Sequence, residues 1–444
     1  MVQAKLASYL GPHDFGKLSL VLAFYVLFLL FIDFGISRYV IKKISEDRSL
    51  AGVYFSNFLL VQFFMAGVLF ALFLIIPRIF NYDADVSRAM AYAGIGLFFL
   101  AMSIPAVTIV QAWQKIHIYA AVIFCSSLLK AIWFAYAIWQ RLDIVFVMQI
   151  YIWDGIFNMV IWYLITRRMI QPDFRLDRQL LQKMFLFGVP FAMLSGFEML
   201  IAKIDVVIQK IFLPYAEVGL YSAAYRFLDF LTFLPAIVAI SLFPYFSQAQ
   251  DLNSSETSEV ADRINRFMMT IALPLGFGGM LFARQIITAL FGDGYHGAIL
   301  PFQILIWSTA ITLVYAVSNV IMQVKQTRLA VSILALATLV NIAGNFLLVP
   351  KYGIVASAWM TVLSYILVAA LYIHYSRRHL RFFLHKFVFW PLVASAVMGA
   401  VLWVVRDYNI FLLVALGIVI YFGILFAVGF LKRDDLKTLS AIMK

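Results

Sequence analysis

Thirteen mostly apolar stretches divide this chain, near 18–40, 50–77, 87–110, 116–139, 144–166, 184–213, 217–246, 264–290, 299–323, 328–349, 354–376, 387–405 and 410–431. A hydrocarbon layer roughly 30 Å thick is crossed by about twenty apolar residues in helical form. Backbone groups in lipid must bond within their own segment or close a barrel. The stretches lack the in–out alternation of a membrane barrel, so helices are expected throughout. With 64% hydrophobic and 13% charged residues, a chain of 444 residues has too little polar surface for a water-soluble domain. The expected fold class is all-α, a polytopic membrane protein with 13 spans.

Between the stretches, Lys and Arg alternate in abundance from one side to the other. One set of loops holds Arg38, Lys42, Lys43, Arg48, Lys115, Arg167, Arg168, Arg175, Arg178, Lys183, Arg263, Arg266, Lys325 and Arg328. It continues through Arg377, Arg378, Arg381, Lys386, Lys432, Arg433, Lys437 and Lys444, for 22 in all. The opposite set holds Lys5, Lys17, Arg78, Arg88, Arg141, Lys351 and Arg406, only 7. Short cytoplasmic loops carry the basic excess, so the larger set, and the C-terminus with it, is expected to be cytoplasmic. The formal charge of +12 is thereby a property of helix ends and gives no reason to expect nucleic acid. The one cysteine, Cys125, sits in an apolar stretch, and the six histidines have no ligand spacing, so no metal site is expected.

A short internal repeat organises the chain. Leu10, Asp14, Phe15, Gly16 and Ser19 match Leu213, Glu217, Val218, Gly219 and Ser222 at a constant offset of 203 positions. In both copies a turn runs into a long apolar segment. The second copy follows about thirty mostly apolar residues, Lys183 to Phe212, and the first follows only nine. The expectation is a duplicated protein in which the first of 14 helices is missing from this sequence apart from Met1 to Tyr9. The segments then divide as 1–166, an N-terminal bundle with its first helix truncated; 167–183, a cytoplasmic linker; 184–376, a C-terminal bundle; and 387–431, an additional helix pair. The polar stretch Ser247 to Arg266 is expected to form a linking amphipathic helix.

Five motifs in order carry a resemblance. YLGPHDFG at 9–16, with a span ending FIDFGISRYV at 31–40, is the first. Phe187-Gly188-Val189-Pro190 opens the second half. Asp205 through VGLYSAAYRF, closing at Leu242-Phe243-Pro244, is the third. Leu273-Pro274-Leu275-Gly276 to Leu290-Phe291-Gly292 with Tyr295 is the fourth, and Val349-Pro350-Lys351-Tyr352-Gly353-Ile354 with Ala356 the fifth. Together they resemble the polysaccharide transporter family, the Wzx-type oligosaccharide flippases of the MATE-like multidrug/oligosaccharidyl-lipid/polysaccharide exporter superfamily. The resemblance implies two pseudo-repeated six-helix bundles around a central cavity that opens to each side in turn, with the extra C-terminal pair outside. It implies translocation of lipid-diphosphate-linked oligosaccharide repeat units, of O-antigen, lipopolysaccharide or exopolysaccharide type, across a bacterial cytoplasmic (inner) membrane. The implied partners are that lipid-linked substrate, the bilayer and other polysaccharide assembly proteins; no cofactor is implied.

Ionisable residues at membrane depth are costly and so are the candidate site. Lys130 lies eleven residues before the turn at Arg141 and Asp154 eleven after Asp143, so the two can pair across a hairpin, or Lys130 can face the substrate. Asp205 and Arg226 flank the turn near Pro214 to Glu217 in the same way, while Arg226 shares a stripe with Ser222 and Asp229. A guanidinium fork suits a diphosphate, so Arg226, Lys203 and Lys130 are the candidate headgroup ligands. Glu198, Asp205, Asp229 and Asp154 are candidates for ion coupling or structural pairing. Lys210 and Arg284 lie close enough to the outer surface to snorkel. Asp33 is expected to orient the cytoplasmic end of its helix. Pro190, Pro235 and Pro274 mark places where helices can bend.

Two other classes stand beside the flippase. A MATE-like cation-coupled antiporter of small molecules would favour acidic cavity residues without bases, against Lys130, Lys203 and Arg226. A membrane polymerase, ligase or glycosyltransferase of the same pathway needs an exposed acidic pair, for which Asp83 and Asp85, in the short loop Arg78 to Arg88, are the one candidate. No phosphate-cradling glycine motif for ATP is present.

Overall fold

The computed structural model describes residues 2–248, 254–380, 385–405 and 410–430, and among them helix is the only regular secondary structure. The chain forms two compact units, Met1–Gly219 and Leu220–Lys444. Ten helices among the described residues are long and apolar enough to cross a membrane, or eleven when the bent pair Arg178–Pro190 and Ala192–Phe212 counts as one span. That is fewer than the thirteen segments read from the sequence. Two further places make the difference, a 50-residue helix that covers two segments and a last apolar helix, Leu412–Ala427, shorter than a full span.

The first unit contains α1 (Val2–Asp33), α2 (Ile36–Glu46), α3 (Ala51–Ile79), α4 (Ala84–Ala112), α5 (Ile116–Trp139), α6 (Ile144–Thr166) and α7 (Arg178–Phe212), and ends in α8 (Tyr215–Leu231). In α1, Gly11 leaves helical geometry with φ 73° immediately before Pro12, so the helix breaks where the YLGP motif predicts a turn. α2 is amphipathic, burying Ile36, Tyr39, Val40 and Ile44. The Asp33 carboxylate accepts from the Ser37 amide at 3.2 Å and from the Ser37 hydroxyl, so it satisfies the open first turn of α2, the orienting role expected of it. α7 bends by 47° at Pro190, which cannot donate to the ladder. Its Gly188 lies against the Phe34 carbonyl, and Phe187 stacks on Tyr39 with centroids 5.1 Å apart. The FGVP motif is therefore a packing surface for the α1–α2 junction.

The second unit continues α8 and adds α9 (Phe233–Gln248), α10 (Ser255–Leu281), α11 (Ala283–Phe291), α12 (Ile299–Val314), α13 (Ala316–Lys325), α14 (Thr327–Ser376), α15 (His385–Val404) and α16 (Ile410–Ala427). Its helices kink at Thr232, Phe282 and Tyr315. The backbone ladder runs through each kink, with Thr232, Phe282 and Tyr315 amides bonded to Leu228, Gly278 and Ile311 carbonyls at 3.1, 2.9 and 3.2 Å. The kink near Pro235 thus lies three residues ahead of it, and no break falls at Pro274, which sits inside α10. α10 is also where the linking helix expected over Ser247 to Arg266 is corrected. Ser254 caps the first turn by accepting from the Thr257 amide at 3.3 Å, and one helix runs from the polar residues straight into the apolar span. The start of that stretch, 249–253, lies outside the described residues.

α14 doubles back on itself. Gly353 takes φ 61° just after Pro350, and across the bend the Ser357 hydroxyl donates to Asn345 at 2.6 Å and the Asn341 amide to Ser364 at 3.3 Å. The VPKYGI motif is this turn. The C-terminal pair packs on α10, where the Tyr421 hydroxyl donates to the Thr270 carbonyl at 2.9 Å. There α10, α15 and α16 line an apolar cavity of about 370 Å³ that includes Pro274, Gly278, Met398 and Tyr421.

Candidate functional site

The candidate ionisable residues lie in three groups, two in the first unit and one in the second. The first joins α5 and α6. Lys130 Nζ is 3.0 Å from Asp154 Oδ2, so the two residues pair as their distances from the turn predict. The other oxygen of Asp154 accepts from the Ser126 hydroxyl and, at 3.2 Å, from Asn158 Nδ2. Asn158 also donates to the Asp154 carbonyl at 2.8 Å and accepts from Trp162 Nε1 at 3.2 Å. A buried carboxylate is stable only when its lone pairs are met, and here a base, a hydroxyl and an amide meet them. Tyr151, one turn before Asp154, packs on Tyr25 of α1 with centroids 4.8 Å apart. α4 closes the other side, because Gly96 and Gly155 let the backbones of α4 and α6 touch.

The second group is on α7. Asp205 is fully buried, Lys203 is half-buried and Glu198 is exposed on the helix surface, so the three acidic and basic positions sit in different environments, as opposite stripes require. Asp205 accepts from the Val206 amide at 2.8 Å. Lys210 reaches toward the turn that follows its helix. Its ammonium lies 4.0 Å from the centroid of the Tyr215 ring, a cation–π contact that holds the turn after α7. Arg284 is exposed, in keeping with snorkelling.

The third group is on α8. Arg226 Nη1 is 3.7 Å from Asp229 Oδ2 one turn on, a loose pair. Among the described residues, buried Arg226 Nε has no acceptor, and the buried Ser222 hydroxyl one turn before it has no partner as well. Two donors four residues apart thus share one face of α8, with no acceptor for either among the described residues. Asp205 belongs to the first unit and Arg226 to the second.

A further cluster, at the start of α1 and α8, is one the sequence reading passed over. A Cβ on Gly16 would overlap the Tyr215 carbonyl oxygen, and a Cβ on Gly219 would overlap the Pro12 carbonyl oxygen. Each glycine thus meets the partner of the other at the offset of 203, so the repeat is also a pseudo-two-fold contact in space. The signal was present in the repeated glycine itself, since small residues in membrane helices permit backbone approach. Beside this crossing the buried Lys17 reaches Asp83 at 3.0 Å and Asp85 at 3.8 Å, and Arg88 takes the other oxygen of Asp85 at 2.7 Å. The acidic pair considered for an enzyme is therefore engaged in ion pairs. In the same loop the half-buried Tyr82 has its phenol pushed up to about 12, chiefly by burial and then by neighbouring Tyr215. No group of three or more His, Cys, Asp or Glu among the described residues is placed to hold a metal ion.

The comparisons with known proteins agree with this helical, membrane-spanning fold. The family described as polysaccharide biosynthesis protein matches residues 3–250, more than half of the chain. The chain belongs to that family. A probable low-salt glycan biosynthesis flippase, Agl15 of Haloferax volcanii, is 28% identical over 226 residues, 50% of this chain and 48% of the relative. A probable flippase of the same organism, AglR, is 24% identical over 36% of this chain and 35% of its own length. The chain thus spans about half, or less, of the curated flippases it matches. Among solved structures, the lipid II flippase MurJ in an inward closed conformation matches 96% of this chain and 98% of its own, with a TM-score of 0.68 at 14% identity. A multidrug resistance MATE family transporter of the MOP superfamily, inward-facing, matches 85% of this chain and 92% of its own, with a TM-score of 0.65 at 15% identity. At such identities the likeness is one of fold. The protein is a multi-pass membrane protein of the polysaccharide biosynthesis protein family.

Proposed function

We propose that this protein translocates a lipid-diphosphate-linked oligosaccharide from the inner to the outer leaflet of a cytoplasmic membrane by alternating access. The observation that carries the reading is the pair of unanswered donors on α8, Arg226 Nε and the Ser222 hydroxyl. A buried donor without an acceptor costs about 1–3 kcal/mol, and a phosphate oxygen is the acceptor that a guanidinium fork matches best. Lys203, half-buried on α7, is the second candidate for the headgroup. Lys130 is a weaker one, since Asp154 already neutralises it. The flippase relatives and the family support a glycan-linked lipid as substrate. O-antigen or exopolysaccharide repeat units remain the finer proposal for the sugar, and the basic excess in its set of loops supports a cytoplasmic C-terminus. Should transport be ion-coupled, Glu198, Asp205 and Asp229 are the proposed carboxylates, with Asp154 assigned to structure.

Complementation tests this. In a strain lacking its own oligosaccharide flippase, the chain should restore surface polysaccharide, and Arg226→Ala should abolish that restoration while inserting normally. Equal restoration by both would remove Arg226 from the site. Failure of the parent chain, with lipid-linked intermediates unchanged, would count against the function.

A further inference from the structure

The first unit carries a cavity lined by charged side chains and turn backbone. A cavity of about 590 Å³ opens between the short turn Arg48–Leu50, the α4–α5 turn at Trp113 and the segment Met169–Arg175 that leads to α7. Two arginines line it, Arg48 and Arg175. The Arg48 guanidinium lies over the Trp113 ring at 5.4 Å, which fixes its plane at the cavity wall. Arg175 is 88% exposed and only loosely paired, at 3.6 Å, with Asp173. Asp173 in turn accepts from the Arg175 amide at 3.2 Å, so its charge is partly spent on its own turn.

The cavity is held open by backbone rather than by mobile side chains. Buried Asn57 of α3 donates to the Arg175 carbonyl at 2.8 Å and accepts from the Asp177 amide at 3.0 Å. The Asp173 amide donates to the Gly52 carbonyl at 3.3 Å, and Gly52 has no side chain to hold the Gln171 carbonyl away. The linker is thus strapped to α3 along most of its length. Apolar groups stand at the edge of this polar cavity, with Phe174 76% and Leu176 58% exposed. Lys115, Arg167 and Arg168 follow in the adjoining turns. On the cytoplasmic side expected for these loops, a basic cavity with an apolar lip suits a phosphate that is attached to a lipid.

We infer that this cavity binds the phosphate-bearing headgroup of an inner-leaflet lipid, with Arg48 and Arg175 as the ligands and Trp113 as the positioning ring. The site rests on the cytoplasmic placement of these loops proposed above and not on the transport reading. Labelling of Gln171→Cys in a Cys125→Ala background tests that placement independently.

The test is native mass spectrometry of the purified full chain, titrated with phosphatidylglycerol, phosphatidylcholine, a polyprenyl diphosphate and inorganic pyrophosphate. The parent protein should retain both anionic lipids well above phosphatidylcholine. Loss of each arginine, as Arg48→Gln or Arg175→Gln, should weaken retention about fivefold, and loss of both about 25-fold. Arg48→Lys should fall between, because the charge stays and the stacked fork is lost. Arg328→Gln, a cytoplasmic-set residue outside the cavity, should change nothing. Should the double variant fail to fold, the single variants and Arg48→Lys carry the same comparison. A clear preference for polyprenyl diphosphate would make this a docking place for a transported lipid, and equal retention of phosphatidylglycerol a general anionic-lipid site; both support it. Parent-like retention by the charge-removing variants, retention of phosphatidylcholine equal to phosphatidylglycerol, or pyrophosphate binding as tightly as the lipids would overturn it.

Discussion

Replacing Lys130 with methionine should cost more than replacing its partner Asp154 with leucine, and the structure sets the difference. The Asp154 side chain is 5% exposed and that of Lys130 31%. Without Lys130, the carboxylate keeps the Ser126 and Asn158 hydrogen bonds but is left as an unneutralised buried charge. Breaking a buried pair in this way costs about 3–5 kcal/mol in soluble proteins, and insertion measurements put an acidic residue at mid-membrane near 2.5–3.5. Lys130→Met should therefore destabilise by about 3 kcal/mol. Without Asp154, the ammonium has a partly open path along its flexible stem toward more polar surroundings, and Asn158 still reaches the residue-154 carbonyl and Trp162. Asp154→Leu should cost about 1–2 kcal/mol, chiefly the unmet Ser126 hydroxyl and the strained lysine. The double variant removes both charges and should be more stable than Lys130→Met alone, giving a coupling of about 1.5 kcal/mol or more. The assay is reversible unfolding of the purified protein in mixed micelles, followed by tryptophan emission, for the parent and the three variants. Additive effects within about 0.5 kcal/mol would refute the pairing argument. A larger loss for Asp154→Leu than for Lys130→Met would refute the burial argument.

Two further outcomes follow from the packing. Gly16→Ala and Gly219→Ala each force a methyl into a backbone carbonyl, so each should lower stability by about 1–3 kcal/mol and impair surface polysaccharide restoration; Gly67→Ala, with open space around it, should be neutral or stabilising by up to about 1 kcal/mol. Thermal aggregation midpoints in detergent decide between them, and indifference at position 16 or 219 would contradict the close crossing. Asn57→Ala leaves the Arg175 carbonyl and the Asp177 amide unbonded, a cost of about 1–3 kcal/mol. Limited trypsin digestion after Arg175 and Arg178 should then run about tenfold faster or more, and an unchanged rate would mean the linker is held by other contacts.

Much of the architecture was legible because lipid removes alternatives. Apolar length fixed where helices run, and the punctuation at Gly11-Pro12 and Pro350 to Gly353 marked two turns that the structure contains. Residue counting from a turn also located the Lys130–Asp154 pair, since adjacent antiparallel helices rise at the same rate per residue. The kink at Thr232 was marked by Pro235, which has no N–H to give the Leu231 carbonyl. Those at Phe282 and Tyr315 left no such mark, since neither is a proline or glycine and their own amides stay bonded to Gly278 and Ile311. Proline proved a guide at Pro190 and not at Pro274, where the surrounding helix absorbs it. Lys17 was read as one more base on the sparsely charged side, because sequence carries no measure of burial. Its partners Asp83 and Asp85 lie far along the chain, and only the fold brings them within 4 Å. For Lys210 the distance from the helix end predicts snorkelling, and the ring its ammonium meets, Tyr215, lies in the turn just beyond that end.

The most direct test of lipid-linked oligosaccharide translocation is a two-leaflet accessibility measurement in proteoliposomes. Vesicles would carry a fluorescently tagged polyprenyl-diphosphate oligosaccharide, and a membrane-impermeant quencher would be added outside. With the parent protein, quenching should proceed past the outer-leaflet fraction towards completion, while Arg226→Ala vesicles stop at that fraction. A plateau at the outer-leaflet fraction for the parent protein, inserted and folded, would contradict the account.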